Sequence, residues 1–319
     1  MNTENHKPFL CSVIIPVFNE EKNIDPLLDR LVQVLTPIEG CSYEIIFAMD
    51  PCTDKTEEKI LAARKSNPCI KLLRFSRRFG QPASTIAGLE MSSGDICVVI
   101  DADLQDPPEL IATLIARWQE TGAEVVYAQR LTRKGETALK KVIAYLAYYV
   151  INKIADVKLP RNTGDFRLMS RRVVDHVLSL KENHGFLRGL VALVGFKQEA
   201  VQYHREARLT GKGNYNRWTG SFLIGFNGIY GFSRFPLVLI SLLGAFFSTV
   251  SVLAAILFLV MHYLGTTLPV KDPVTLCFIV FFTGMQMLCL GVVGGYIGRI
   301  YDEVKERPKY IIESSHGFE

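Results

Sequence analysis

Two stretches of this 319-residue chain carry no charge at all: the 27 residues from Phe235 to Met261 and the 25 from Val274 to Gly298. A helix crosses the hydrocarbon core of a bilayer with about 20 apolar residues, and core helices of soluble proteins normally keep a polar face. Both stretches are therefore read as transmembrane helices, expected to form a hairpin. They also explain the composition. A mean hydropathy of +0.19 and 49% hydrophobic residues are high for a soluble chain and become ordinary once the pair is set aside. Neither stretch holds an ionisable side chain for an ion path, and two spans exclude a many-spanning transporter.

The flanks orient the pair. Arg234 precedes the first stretch, and Arg299, Lys305, Arg307 and Lys309 follow the second, while the linker HYLGTTLPVKDP holds one Lys and one Asp. Lys and Arg concentrate on the cytoplasmic side, so both termini are expected inside with a very short external loop. The N-terminal MNTENHKPFL has no apolar signal segment. Residues 214–235 mix Trp218, Tyr215, Tyr230 and several Phe with Arg217 and Arg234, a composition that suits short helices at the headgroup layer. Seven cysteines without a CxxC pair point to reduced thiols. A net charge of +4 without a dense basic stripe gives no support for a nucleic-acid partner.

Ahead of the pair lie short Val/Ile-rich runs at 11–17, 43–49, 70–75, 95–101 and 123–128, separated by helix-length segments at 20–35, 54–66, 82–92 and 107–120. Such alternation predicts an α/β domain with a mostly parallel, Rossmann-like sheet covered on both faces. Ligands of these sheets bind beyond the carboxyl ends of the strands. Polar residues gather there: Asn19 and Glu20, Asp50 and Asp54, Arg77 and Gly80, Asp101, Asp103 and Gln105, then Arg130. No Walker A, GxGxxG, HExxH or GxSxG run is present, so a P-loop, a dinucleotide fingerprint and those hydrolase motifs have no support.

Asp101-Ala102-Asp103-Leu104-Gln105 ends a strand run and offers two carboxylates and an amide as hard oxygen donors. The set suits Mg²⁺ or Mn²⁺, and through it a nucleoside diphosphate. An acidic turn between strand and helix also serves as a helix cap, and Asp106 before Pro107-Pro108-Glu109 is expected to cap the next helix.

Six motifs in order carry a resemblance: SVIIPVFNEE, AMDPCTDKT, FSRRFGQPASTIAGL, SGDICVVIDADLQDPPEL, NTGDFRLMSRR and RLTGKGNY. The chain resembles the family 2 glycosyltransferases of the polyprenyl-phosphate type, the group of bactoprenol glucosyltransferases and dolichol-phosphate mannose synthases. The resemblance implies a GT-A fold and inverting transfer of a hexose from a nucleotide sugar, UDP-glucose in first place, to a polyprenyl phosphate at a bacterial inner membrane. GDP-mannose, modified UDP-sugars and a non-catalytic membrane-anchored binding protein are the alternatives. By the same resemblance, Pro16, Phe18 and Glu20 wall the base, Asp50 and Gly80 belong to the nucleotide-sugar site, and Asp101, Asp103 and Gln105 hold the metal and diphosphate. Arg130 approaches phosphates or sugar, Arg208, Gly211 and Lys212 form a closing loop, and Asp165 faces the acceptor. The catalytic set is then Asp103, Arg130, Asp165 and Arg208. Departures from the pattern are Met49 and Pro51 around Asp50, and Gly213 and Asn214 in the loop, where Lys212 stands in for the missing charge. The expected organisation is a catalytic domain at 1–205, the loop and interfacial helices at 206–234, two membrane helices at 235–298 and a cytoplasmic tail at 299–319. Gly291, Gly294, Gly295 and Gly298 offer a small-residue face for a homo-oligomer.

Overall fold

The β-branched runs become the centre of a sheet because they are apolar on both faces and need cover from both sides. In the computed structural model, which describes residues 7–131, 163–180, 182, 187–205, 235–264 and 272–318, β1 (Phe9–Val17), β2 (Cys41–Met49), β3 (Ile70–Phe75) and β4 (Ile96–Val99) pair in parallel. Ile14, Ile15, Ile45, Ile46, Val98 and Val99 on these strands are wholly buried. The intervening helices are α1 (Ile24–Leu35), α2 (Thr56–Ser66), α3 (Gln81–Glu90) and α4 (Leu110–Thr121). In α1 the buried residues Ile24, Leu27, Leu28, Leu31 and Leu35 recur at helical spacing and define the face laid on the sheet.

Three helices start later than their sequence predicts: α2 at 56 rather than 54, and α1 and α4, where polar residues that read as first turns are used to tie loops together. Asn19 has φ +55°, and the Glu20 amide donates to Thr56 Oγ1 at 2.9 Å, so α1 begins at 24 rather than 20. Leu104 has φ +56° and the Pro-Pro pair follows, so α4 begins at 110 rather than 107.

The sheet has eight strands in the order β7-β5-β6-β4-β1-β2-β3-β8. β5 (Val125–Arg130) matches a sequence run, whereas β6 (Thr163–Ser170), β7 (Gln198–Tyr203) and β8 (Ile312–His316) do not. β6 lies antiparallel between β4 and β5, β7 runs parallel to β5, and β8 closes the far edge antiparallel to β3. α5 (Arg171–Ser179) and α6 (Leu187–Val194) join α3 over one apolar layer that includes Ile14, Val99, Met169 and Val173. The opposite layer includes Leu27, Phe47, Leu114 and Phe166, from α1, β2, α4 and β6.

Residues 299–318 do not form a separate segment. α8 (Asp272–Val304) takes up the first of them, and β8 returns the chain to the catalytic sheet. Arg74 Nε lies 3.1 Å from Glu313, Ser76 N–H donates to Ile311 O at 3.0 Å, and the Tyr310 hydroxyl donates to Glu90 on α3 at 2.5 Å. The Tyr310 ring sits 5.7 Å from that of Phe75. In sequence this edge strand shows no apolar run, because only alternate residues, Ile312, Ser314 and His316, are part-buried.

The two uncharged stretches form α7 (Phe235–Tyr263) and α8, which touch where the Phe247 and Phe282 rings stand 5.4 Å apart. Large apolar side chains on both are exposed, among them Leu242, Leu253, Phe278 and Met287. Among the described residues one segment, Phe281–Val304, is long and apolar enough to cross a membrane, and none of its window is buried.

Candidate active site

The parallel strands β1 to β4 end at the same edge, and the loops there are locked to each other before any ligand is considered. Asp50, buried after β2, accepts the backbone N–H of Phe79 and of Gly80, each at 2.9 Å, one on each carboxylate oxygen. Its charge is thus spent on fixing the loop after β3, where Gly80 takes φ +89°, a conformation costly for any residue with a Cβ. Asn19 accepts from Thr53 N–H at 2.8 Å and its own N–H points at Cys52 Sγ at 3.2 Å. Pro16 is buried beneath this turn, Phe18 and Glu20 are half-buried on it, and the Arg78 guanidinium lies 4.1 Å over the Phe18 ring.

α3 follows Gly80 directly, so Gln81 is delivered to the edge. Its Nε2 donates to Asp101 Oδ1 at 2.7 Å. Two residues on, Asp103 accepts the Gln105 N–H at 3.1 Å, and Leu104 between them holds a left-handed φ of +56°. Asp101 is pushed up to about 7, first by burial and then by repulsion from Asp165, Asp106 and Asp103, with Arg205 pulling the other way. The edge therefore has an excess of negative charge around Asp101 and Asp103. Among the described residues no three His, Cys, Asp or Glu side chains converge as a metal-binding group.

Asp106 does not cap α4. The helix has Glu109 at its N-cap without a side-chain cap bond, and Asp106 is instead fully buried as the meeting point of three other side chains. Tyr203 OH donates to its Oδ1, Arg205 Nε stands 3.2 Å from that oxygen, and Arg130 Nη2 lies 3.4 Å from Oδ2. Arg130 also donates through Nε to the Tyr203 hydroxyl at 3.1 Å. Burial first, then Asp106, push the Tyr203 phenol well up, so it remains a donor at neutral pH.

On β6, Asp165 faces Arg188 of α6, with Nε to Oδ1 at 2.8 Å and Nη2 to Oδ2 at 3.5 Å. Burial alone would raise its pKa, but Arg188, Arg167 and Arg130 outweigh it and hold the carboxyl below its ordinary range. Arg167 is buried and donates to Gly164 O at 3.0 Å. Desolvation brings it down to about 10 against the pull of Asp165. Arg171, four residues on, serves the opposite edge of the sheet, where it donates to Gly94 O at 2.8 Å and Ser92 O at 3.0 Å.

The edge thus collects Asp50, Gly80, Asp101, Asp103, Gln105 and Arg130 from the strand ends where the sequence placed them, and Asp165 joins them from β6, a strand the apolar runs did not predict. Arg208, Gly211, Lys212 and the arm at 214–234 lie outside the described residues. Gln81, Tyr203, Arg188 and Arg205 were not singled out by sequence as site residues. Tyr203 and Arg205 sit at the end of β7, whose half-polar QEAVQY did not read as a strand, and Arg188 becomes relevant only when α6 packs across β6.

Residues 12–178 match the family Glycosyl transferase family 2. The chain belongs to that family. Its sheet, mostly parallel with β6 reversed between β4 and β5, is the GT-A-like α/β arrangement that the sequence predicts. This family 2 glycosyltransferase is 43% identical to the uncharacterized glycosyltransferase YkcC of Bacillus subtilis, covering 97% of this chain and 94% of that protein. It is 41% identical to an uncharacterized glycosyltransferase of Synechocystis, covering 97% and 96%. The SfII prophage-derived bactoprenol glucosyl transferase of Shigella flexneri is 40% identical over 96% of this chain and 98% of its own.

One glycine of the glycosyltransferase site is fixed by close approach. A Cβ on Gly164 would fall 2.7 Å from Arg130 Nη2, so Gly164→Ala makes the flexible end of that side chain give way while Tyr203 and Arg205 stay on Asp106. Denaturant unfolding of Gly164→Ala is expected to show a loss of about 1 kcal/mol; a loss above about 3 kcal/mol would show that Arg130 cannot move aside.

Proposed function

We propose that this glycosyltransferase moves glucose from UDP-glucose, with inversion, to undecaprenyl phosphate or a related polyprenyl phosphate at the cytoplasmic face of a bacterial plasma membrane. What supports this most is one conjunction: the carboxylate edge at Asp101, Asp103 and Asp165 in a chain 40% identical, almost end to end, to a bactoprenol glucosyl transferase. GDP-mannose and modified UDP-sugars are the next donors; Met49, which departs from the family pattern beside Asp50, is wholly buried in the core and does not face a donor.

A divalent cation, Mg²⁺ or Mn²⁺, fits the edge. Asp101, Asp103 and Gln105 supply hard oxygens, and the crowding that lifts Asp101 to about 7 is relieved by positive charge. Mg²⁺ is commonly held by one or two carboxylates and completed by substrate phosphates, so two carboxylates suffice. When bound, such a cation neutralises charge developing on the departing nucleoside diphosphate. The chain's own residues supply orientation. Gln81 and the Gln105 amide preset the carboxylates of Asp101 and Asp103, Pro16, Phe18 and Glu20 wall the base, and Asp50 fixes the loop beside it. Arg130, with Arg208, Gly211 and Lys212 of the closing loop, faces the phosphates.

A phosphate monoester acceptor is largely ionised at pH 7, its second pKa being about 6. It needs no strong base. Asp165, paired with Arg188 and held below the ordinary carboxylate range, is a poor base and is assigned to positioning acceptor or sugar. Its ionisation is complete well below neutrality, so it adds no step to the rate between about pH 6 and 8.

The fold also bears on the membrane. β7 precedes and β8 follows the apolar helices, yet both strands belong to one sheet. The chain must cross a bilayer an even number of times between Tyr203 and Ile312. A crossing by α8 therefore requires a second one, and α7 supplies it, which favours a hairpin with catalytic domain and C-terminus on one side. In a cysteine-free background, Thr266→Cys is expected to react with an impermeant maleimide added outside spheroplasts and Ser315→Cys only after permeabilisation. Labelling of both from outside, or of neither, contradicts the hairpin.

The decisive assay is a panel of radiolabelled nucleotide sugars on membranes holding the chain and undecaprenyl phosphate. Lipid-extractable label from UDP-glucose is expected, at a rate that about doubles from pH 6 to 7 as the acceptor phosphate completes its second ionisation and is flat from there to pH 8. Asp103→Asn is expected to lower it about a hundredfold with the unfolding midpoint retained. Label from GDP-mannose alone changes the donor, label from none leaves a binding protein, and near-normal transfer by folded Asp103→Asn removes the cation assignment.

A further inference from the structure

Asp106 gathers more positive charge than its own burial requires. A buried carboxylate is tolerated when it is paired, and here two guanidiniums and a phenol converge on it from β5 and the end of β7. Two arginines against one aspartate leave one positive charge over. That surplus borders the carboxylate edge, since Arg205 is the charge that counteracts the upward push on Asp101.

Arg205 is not fully used by the pair it makes. Asp106 Oδ1 is already taken by the Tyr203 hydroxyl, and Arg205 Nε, 3.2 Å away, is buried without a hydrogen bond of proper geometry. The rest of the side chain keeps 29% of its surface open. A planar guanidinium fork that is charged, partly open and incompletely bonded matches phosphate oxygens better than an ammonium would.

We propose that Arg205 is a further binding residue for the diphosphate of the nucleotide donor, and that Asp106 and Tyr203 are positioning residues that present Arg205 and Arg130 as a pair. Asp101 and Asp103 repel a diphosphate unless positive charge stands beside them. The arginine pair supplies it on the α4 side of the sheet, while Arg188 on the α6 side is committed to Asp165. The inference rests on the nucleotide-sugar reading above and adds residues to it.

The test is calorimetric titration of the full-length protein in detergent with UDP and GDP in Mn²⁺, beside ligand-observed magnetic resonance with the matching nucleosides. Binding of neither diphosphate by the wild type overturns the donor reading and this inference with it. Where the wild type binds one, Arg205→Gln is expected to weaken that diphosphate about tenfold and leave the nucleoside unchanged. Tyr203→Phe is expected to weaken the diphosphate about threefold with the same indifference to the nucleoside. If Arg205→Gln fails to fold, Arg205→Lys, which keeps the charge and loses the fork, carries the Tyr203→Phe expectation. Unchanged diphosphate affinity in the folded variants, or equal losses for nucleoside and diphosphate, shows a purely structural ion pair and overturns the inference while the donor reading stands.

Discussion

Like charges crowded at one edge of a parallel sheet set the terms for everything around them. Partial desolvation raises Asp101, and Asp165, Asp106 and Asp103 then push on it as well, each repulsion strengthened where water is scarce. The fold answers each carboxylate differently. Asp165 has a guanidinium fork from α6, Asp106 has two arginines and a phenol, Asp101 accepts from the Gln81 amide and Asp103 from the Gln105 N–H. Asp101 and Asp103 are the pair proposed for the cation, which together with an anionic nucleotide diphosphate would complete the charge balance.

That division follows from topology. β6 runs antiparallel between β4 and β5, so its Asp165 and Gly164 are drawn up beside the ends of both neighbours. Gly164 lets the Arg130 guanidinium lie against the backbone. At the other side of the sheet, β8 stitches the segment beyond α8 onto β3, whose following loop Asp50 holds in place. In chain order α7 and α8 lie between two strands of this one sheet, β7 and β8. That placement supports the proposed acceptor, whose phosphate would lie at a bilayer surface.

Much of this was legible in the sequence where physics writes in apolar runs. β1 to β5 and the four helices between them follow from Val/Ile runs and helical spacing, and the polar residues beyond those strands do gather at one edge. What escaped was polar or alternating: β6 reads as a charged motif, β7 as a mixed segment, and β8 hides because an edge strand buries only every other residue. Asp106 looked like a helix cap because it precedes Pro107-Pro108. Its partners Arg130, Tyr203 and Arg205 arrive from up to 99 positions away, as the Asp106 to Arg205 pair shows, and no local pattern encodes that meeting. Arg188 is similar, since its role depends on α6 crossing β6.

The carboxylate edge is proposed to bind the donor's diphosphate through a divalent cation. Titration of the purified chain with nucleoside diphosphate, with Mn²⁺ or Mg²⁺ and then in excess chelator, tests this most directly. Tight binding with the cation and loss of at least about a hundredfold in affinity without it is the predicted result. Equal affinity in chelator would contradict the account, because Asp101 and Asp103 would then be repelling the ligand they are assigned to hold.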